Sequence, residues 1–404
     1  MHSLLIIGAG QAGLQLGIGL LQKGYKVTLV SDKRAIDYLN GPILSTQGLF
    51  NIALENERDL HLNFYESACP KNTTINFKIL LPHQPISFQG KVQSFFQAVD
   101  QRLKFSRWLD HFVTLGGDLL IKKITLPELE SLAPKYDLTL IASGKGELGK
   151  LFKRNETESI YDRPQRILAA QYLQGMQPMQ PYGMRATIIP GVGEYFTMSG
   201  LTLSGYCEML LFEGISDGEF DCWQNVRTAE EQLAQSRLLL EKYVPADAER
   251  YKSATLTDDK AVLRGSYTPV VRHPIAHLPN SGQAVLGIGD AVVLNDPVAG
   301  QGANNASKAA NIYLNGIIEH GSAPFGEDWM QMVFDRYWYY AKAATQLSNM
   351  LLEPMPAHIV TLLSAAMNNQ AIANKLANGF RDPTTLFPWI LDIASTNDII
   401  TSLA

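Results

Sequence analysis

The sequence predicts an α/β fold: a Rossmann-like domain, a β-rich second domain and a C-terminal helical region. Three observations lead there. A short apolar run at residues 3–7 flows straight into a glycine-rich turn and an apolar helix. A second apolar run, near residue 284, flows into another glycine-rich loop and helix. Between them, residues 165–211 are rich in β-formers, with Gly and Pro at the turns.

The elements follow in chain order. Residues 3–7 suit a buried parallel strand. Leu14, Leu16, Leu20 and Leu21 form a helical apolar face that closes at Lys23-Gly24, with Gly as the cap. Residues 27–30 are the second strand. Residues 70–88 mix Pro, Asn and Thr with β-formers and read as sheet and loop. Residues 95–115 read as a helix stopped by Gly116-Gly117, and 138–142 as a buried strand. The β-rich stretch, clearest at 186–189 and 195–198, predicts an antiparallel sheet over the first domain. Residues 228–243 form a helix opened by Thr228, with Glu230 and Glu231 in its first turn. Residues 284–288 are another buried strand. From about residue 327 the chain is helical and rich in aromatics and Met.

Composition narrows the function classes. A chain of 404 residues suits two or three domains. A net charge of -5 gives no electrostatic case for nucleic acid or an anionic membrane as partner. Cys69, Cys207 and Cys222 are far apart and never in a CxxC. That argues against a disulfide framework or zinc site and fits a reducing cytoplasm. Residues 4–21 have the apolarity of a signal peptide, but no Lys or Arg precedes them and glycines interrupt them, so strand–turn–helix is expected. No later run reaches the roughly 18 apolar residues of a membrane span.

The first motif is Gly8-x-Gly10-x-x-Gly13, with Gln11 and Ala12 inside it. Gly8 permits the tight turn, Gly10 lets backbone approach a pyrophosphate, and Gly13 lets helix and strand pack closely. The helix N-terminus then faces the anion. Its place between strand and helix, in a unit of about 30 residues, is the context that gives the pattern value. Asp32 lies about 20 residues on, where a ribose-clasping acid belongs. If the strand ends early, Asp32 is instead a solvated turn residue.

The second motif reads Gly287-Ile288-Gly289-Asp290, then Asp296-Pro297-Val298-Ala299-Gly300-Gln301-Gly302-Ala303-Asn304-Asn305-Ala306. A strand ends in Gly-Asp, and a loop without bulky side chains leads to a helix from about Asn304. A helix N-terminus there suits the edge of a flavin ring, which gains negative charge on reduction. Taken alone, the stretch is equally a glycine-rich loop before a core helix.

The pairing of these two motifs resembles the flavoprotein monooxygenases of the aromatic hydroxylase fold. The stretch from Asp296 to Ser307 is most similar to that of the two-component styrene and indole monooxygenases. Tyr136-Asp137-Leu138, Ser143-Gly144-Lys145, Leu148-Gly149-Lys150, Arg163-Pro164-Gln165-Arg166 and Ala98-Val99-Asp100 with Arg102 agree with it. The resemblance spans most of the chain to about residue 320 and loosens in the C-terminal helices.

The resemblance implies FAD as cofactor. Gly289 and Asp290 would meet its ribityl and pyrophosphate region. Pro297, Gly300, Gln301, Gly302, Ala303 and Asn304 would flank the ring, and Ser143 and Gly144 would lie near the adenosine half. Gln97 or Arg102 would touch the cofactor from the helix after the first crossover. It also implies three regions: an FAD-binding domain of residues 1–75, 95–155 and 265–326, a substrate-binding domain of 76–94 and 156–264, and C-terminal helices over 327–404. In the styrene enzymes the loop after the second strand reads Asn-Thr-Val. Here it is Ser45-Thr46-Gln47, as in the indole-oxidising branch. Gln47 offers a carboxamide to an indole N–H, whereas styrene has no donor. On pattern alone this is also a polar surface loop.

The chemistry implied belongs to the flavin. Reduced FAD, delivered by an NADH-dependent flavin reductase, would react with O2 to a C4a-hydroperoxide that epoxidises the double bond of indole or a styrene-like substrate. No side-chain acid, base, nucleophile or metal is required. Two alternatives remain on the same residues: a single-component NAD(P)H-dependent hydroxylase or flavin-dependent reductase, and a non-enzymatic dinucleotide-binding sensor. Competing signals are few. Gly214-Ile215-Ser216-Asp217-Gly218 matches a nucleophile elbow by letter, but a turn rather than a helix follows. His273 and His277 are four apart with Pro274 between them, which argues against one helical metal face. Tyr337, Trp338, Tyr339 and Tyr340 read as helix packing more than as a ligand stack.

Overall fold

A computed structural model describes residues 2–144 and 146–403; Lys145, in the Ser143-Gly144-Lys145 stretch, lies outside the described residues. Its first layer is a parallel sheet in the order Ala284–Gly287, Leu138–Ile141, Ser3–Ile7, Lys26–Ser31, Asp118–Ile121, with Ile275–His277 antiparallel at one edge. Ser3–Ile7 is buried on both faces, as the unbroken apolar run requires. Its neighbours in sequence and in space diverge here: the chain passes to Lys26–Ser31 on one side and to Leu138–Ile141 on the other. The carboxyl ends of these strands therefore flank a topological switch point, where open α/β sheets bind ligands.

Two helices leave that point side by side. Gln11–Gln22 follows the first strand and Gly302–His320 follows the late glycine loop. They approach closely because Gly19 has no side chain: a Cβ there would lie 2.6 Å from Leu314 Cδ2. Gln15 Nε2 also donates to Ser307 O at 3.2 Å. Trp108, Leu109 and Phe112 of helix Gln101–Thr114 complete this core.

The second layer is a large twisted sheet. Its order is Thr255–Leu256, Arg166–Gln174, Gly205–Ile215, Gly193–Thr202, Gly183–Ile189, Asn72–Ile79, Ile86–Phe96, with Val262–Gly265 also on Arg166–Gln174. The sequence predicts it as antiparallel. One pair departs from that: Asn72–Ile79 runs parallel to Gly183–Ile189, since they are joined through the first layer rather than by a hairpin. The helix expected over 95–115 starts later, at Gln101. Phe95 and Phe96 close the strand Ile86–Phe96, and the Asp100 side chain caps the helix by accepting from Arg102 N at 2.9 Å. The helix expected from Asn304 begins two residues earlier, at Gly302.

Of the C-terminal helices, Ala357–Asn368 and Gln370–Arg381 pack on this sheet through Leu362, Ile372 and Ala373, Ile393–Ser402 packs against Ala357–Asn368, and Glu327–Leu352 packs mainly on the first layer through Trp329, Val333 and Tyr337. Gln370–Arg381 lies directly on the edge strand, where a Cβ on Gly90 would stand 2.3 Å from Ala373 O. Asn374 and Asn378 accept from Lys91 N and Gln93 N at 2.8 and 2.7 Å, so the strand edge is covered rather than left open to pairing. Tyr337 is buried edge-on to Tyr313 and Trp338 stacks on Phe334, while Tyr339 is exposed. Among the described residues no single helix is long and apolar enough to cross a membrane; Glu327–Leu352 and Ala357–Asn368 meet that requirement only as a pair bent by 97°.

Candidate functional site

A cleft of about 1440 Å³ runs between the two layers. That exceeds the roughly 300–1,000 Å³ of a site for one drug-sized ligand. Two helix N-termini open onto it. Gln11–Gln22 begins at Gly10 and Gly302–His320 at Gln301, and neither has a side-chain cap, so first-turn N–H groups are left for a ligand.

The glycines divide into two kinds. Gly8 has φ +118°, and a Cβ there would lie 2.7 Å from Ala142 C. A Cβ on Gly13 would lie 1.9 Å from Gly8 O. These two are demanded by packing. At Gly10 and Gly302 a Cβ would meet no described heavy atom within 4 Å, and both residues line the cleft. Side chains there would fill ligand space only. Tyr38 fixes the loop by donating to Ala9 O at 3.0 Å, and burial pushes its phenol up to about 12.

Of the residues singled out in sequence, Gly8, Gly10, Gln11, Ala12, Asp32, Ser45, Thr46, Gln47, Ser143, Gly144, Asp290, Pro297, Gly300, Gly302 and Ala303 line this one cleft. Asp32 follows directly on the strand Lys26–Ser31 and is exposed. Gly144 sits against Asp290, whose Cβ would be 3.2 Å from an added methyl. The Ser143 hydroxyl is buried with no protein partner among the described residues.

The others do not line it. Gly13 is a packing position, and Gly289 is marked by its positive φ of +60°. Asn304 is a clasp: it accepts from Phe50 N at 3.0 Å and donates to Gly48 O at 2.9 Å and Gly300 O at 3.2 Å. It therefore ties the Ser45–Gln47 loop to the late glycine loop. Gln301 donates to Phe380 O at 2.7 Å. Gln97 and Arg102, expected against the cofactor, are spent on the fold instead. Gln97 Nε2 donates to Glu66 O and Cys69 O. Arg102 is buried between Asp100 and Asp258, which together complete its charge pairing. The residue of that helix that does line the cleft is Gln101.

The far wall is the face of the large sheet. Met184, Ala186, Ile188, Glu194, Phe196, Met198, Leu211 and Glu213 alternate inward along three strands. This apolar chamber is continuous with the glycine cradle. Gln47 stands at the join: its Nε2 donates to Val99 O, so its Oε1 must turn away, and that oxygen is buried with no protein partner among the described residues. The anchoring carbonyl fixes the amide orientation, because a carbonyl can only accept. No local pattern singles out Glu194 and Glu213, since a strand of β-formers broken by Glu reads as one with a solvated face. Asp296, just before the late loop, is buried, and burial pushes its carboxyl up to about 6. The letters of the nucleophile elbow fall at the end of strand Gly205–Ile215 and in a turn, with no helix after Ser216. His277 faces Glu327 at 3.0 Å.

Residues 144–250 match the family model described as "Styrene monooxygenase A putative substrate binding domain". The styrene monooxygenase StyA of Pseudomonas fluorescens is 28% identical over 389 residues, covering 94% of this chain and 92% of that protein. Among solved structures, the flavin-dependent brominase Bmp2 superposes with a TM-score of 0.64 at 16% identity, covering 100% of this chain and 93% of that one. A flavoprotein/dehydrogenase from Cytophaga hutchinsonii gives 0.67 at 13% identity, covering 99% and 98%. The structural likenesses carry the fold, and the matched domain and the sequence relatives make this chain similar to the styrene monooxygenases along nearly its whole length.

Proposed function

We propose that the protein is the oxygenase component of a two-component flavoprotein monooxygenase that epoxidises a small aromatic alkene, with indole as the preferred substrate. FAD is the cofactor, taken up reduced from a separate NADH-dependent flavin reductase, and O2 is the co-substrate. When bound, the reduced flavin supplies the activated oxygen. The chain's own residues bind, orient and exclude water.

In this assignment the first-turn N–H groups beyond Gly10 and the space left by Gly10 receive the pyrophosphate, and Asp32 meets a ribose. Ser143, Gly144 and Asp290 serve the nucleotide side. Pro297, Gly300, Gly302 and Ala303 flank the flavin ring, whose negative charge on reduction suits the uncapped helix Gly302–His320. The sheet face holds the apolar substrate away from water, which would otherwise waste activated oxygen. Gln47 Oε1 accepts the indole N–H. A reducing cytoplasm is the compartment assigned, with all three cysteines unpaired.

The observation that most supports this is the continuity of one cleft, which joins two glycine-lined helix N-termini without side-chain caps to a largely apolar chamber. The test is an aerobic assay with indole, FAD, NADH and a generic flavin reductase. Indole-derived oxygenated product is expected only with all components present. A parallel anaerobic mixing of the FAD-loaded protein with NADPH alone should leave the flavin oxidised. Rapid bleaching there would replace this proposal with a single-component hydroxylase.

A further inference from the structure

Glu213 is a chamber residue that the function above leaves unused. It is fully buried, it lines the cleft, and neither carboxyl oxygen has a protein partner among the described residues. Glu194 lies directly opposite it on the neighbouring strand. Like charges in that position repel. Arg166 resolves half of the conflict: its guanidinium grips Glu194 at 2.7 and 2.9 Å in a two-pronged pair. Both prongs are then committed. Asp296, from the loop before Pro297, brings more negative charge, and Tyr267 brings none at neutral pH. An unpaired buried carboxylate costs several kcal/mol, so such a group keeps its proton.

We propose that Glu213 is held as a neutral carboxylic acid and donates its O–H to an oxygen atom carried by a small aromatic ligand in the chamber. It is thus a specificity-determining residue, one that favours the oxygenated form of the ligand over its hydrocarbon parent. Gln47 offers an acceptor and Glu213 a donor, so the two recognise different atoms. Burial and then the charges of Asp296 and Glu194 push the Glu213 carboxyl well above the usual carboxylate range, against the smaller opposing pull of Arg166. The proposal rests on the functional assignment above for the identity of the chamber.

Acetophenone and α-methylstyrene test it, because they share a shape and differ by one oxygen acceptor. Binding of each to the protein loaded with oxidised FAD is read from the change in flavin absorbance, without reductase or turnover. At pH 6 the wild type should bind acetophenone roughly three- to tenfold more tightly, the range of one neutral hydrogen bond. The gap should narrow at alkaline pH as Glu213 ionises. Glu213→Gln keeps a donor that does not titrate, so its gap should persist at both pH values. Glu213→Leu should close the gap at both. Equal affinities in the wild type at pH 6, or an undiminished gap in Glu213→Leu, overturn the proposal. Should Glu213→Leu not fold, infrared difference spectra of wild type against Glu213→Gln decide: a protonated carboxyl band at neutral pH is expected, and its absence overturns the assignment. A wild type that fails to bind FAD would sink the functional reading instead. One that binds FAD without preferring the ketone sinks only this inference.

Discussion

In the glycine cradle the atoms that face the ligand are backbone. Gly8 and Gly13 are fixed by clashes of 2.7 and 1.9 Å that a Cβ would make, and Gly10 and Gly302 leave open space. In the sheet-walled chamber the facing atoms are side chains from three strands and a loop, and two of them are carboxyls. The cradle is local: each part sits within a few residues of a strand end. The chamber is assembled across more than a hundred residues, from Gln47 to Glu213. A backbone site fails by steric intrusion and a side-chain site by loss of one contact, so the two should respond to substitution on different scales.

The largest effect belongs to the cradle. Gly13→Ala places a methyl 1.9 Å from Gly8 O, and backbone on both sides cannot yield cheaply. A loss of about 3 kcal/mol or more in stability is expected. Gly10→Ala should leave stability nearly unchanged while weakening FAD binding. Thermal unfolding of the two ligand-free variants checks this, and equal melting temperatures would remove the distinction between packing and ligand-facing glycines.

The chamber side answers to pH. Burial raises Asp296 to about 6 from 3.8, so below about pH 4 both folded and unfolded forms are protonated. Between about 4 and 6 the unfolded chain ionises first, and the stability this group contributes falls as pH rises. The shift corresponds to on the order of 2–3 kcal/mol, complete above about pH 6. Asp296→Asn does not titrate. Urea unfolding at pH 4 and pH 7 should show the variant gaining on the wild type across that interval; parallel curves would mean Asp296 ionises normally.

The same contrast explains what the sequence made legible. The strand–turn–helix at Ser3–Gln22 and the loop at Gly287–Ala306 are readable because turn, glycine and helix are consecutive. The parallel strand Asp118–Ile121 went unread: four residues, of which two are exposed, carry too little pattern. The late start of helix Gln101–Thr114 was hidden by Phe95-Phe96, which satisfy an apolar helical face as well as a strand end. Arg102 is expected at the cofactor from the family resemblance alone, and its partner Asp258 lies too far along the chain for local sequence to pair the two. Glu194 facing Glu213 is a matter of strand register, which no local pattern encodes.

At the join of cradle and chamber, Gly302→Val should act as a cradle change of the mild kind. A Cβ there meets no described heavy atom within 4 Å, so the fold should survive, while FAD affinity should fall tenfold or more, about 1.4 kcal/mol. Titration of the apo-protein with FAD, alongside circular dichroism, separates the two. Unchanged affinity would move the flavin away from this loop.

The smallest effect lies at Gln47, and it isolates a single acceptor atom. Its Nε2 is tied to Val99 O, which leaves Oε1 buried and without a partner among the described residues, as an acceptor for the substrate in the proposed reading. Indole and styrene are alike in size and apolarity, so shape separates them little. Only indole has an N–H. A hydrogen bond in a dry site discriminates by about 1 kcal/mol, close to a fivefold ratio. Gln47→Val removes that acceptor and also strands the Val99 carbonyl. The second loss burdens both substrates alike, so the ratio of indole to styrene turnover is the quantity to measure. That ratio should favour indole in the wild type and fall several-fold in the variant, mainly through slower indole turnover. Equal ratios in the two proteins would take Gln47 out of substrate choice and leave recognition in the chamber to its walls.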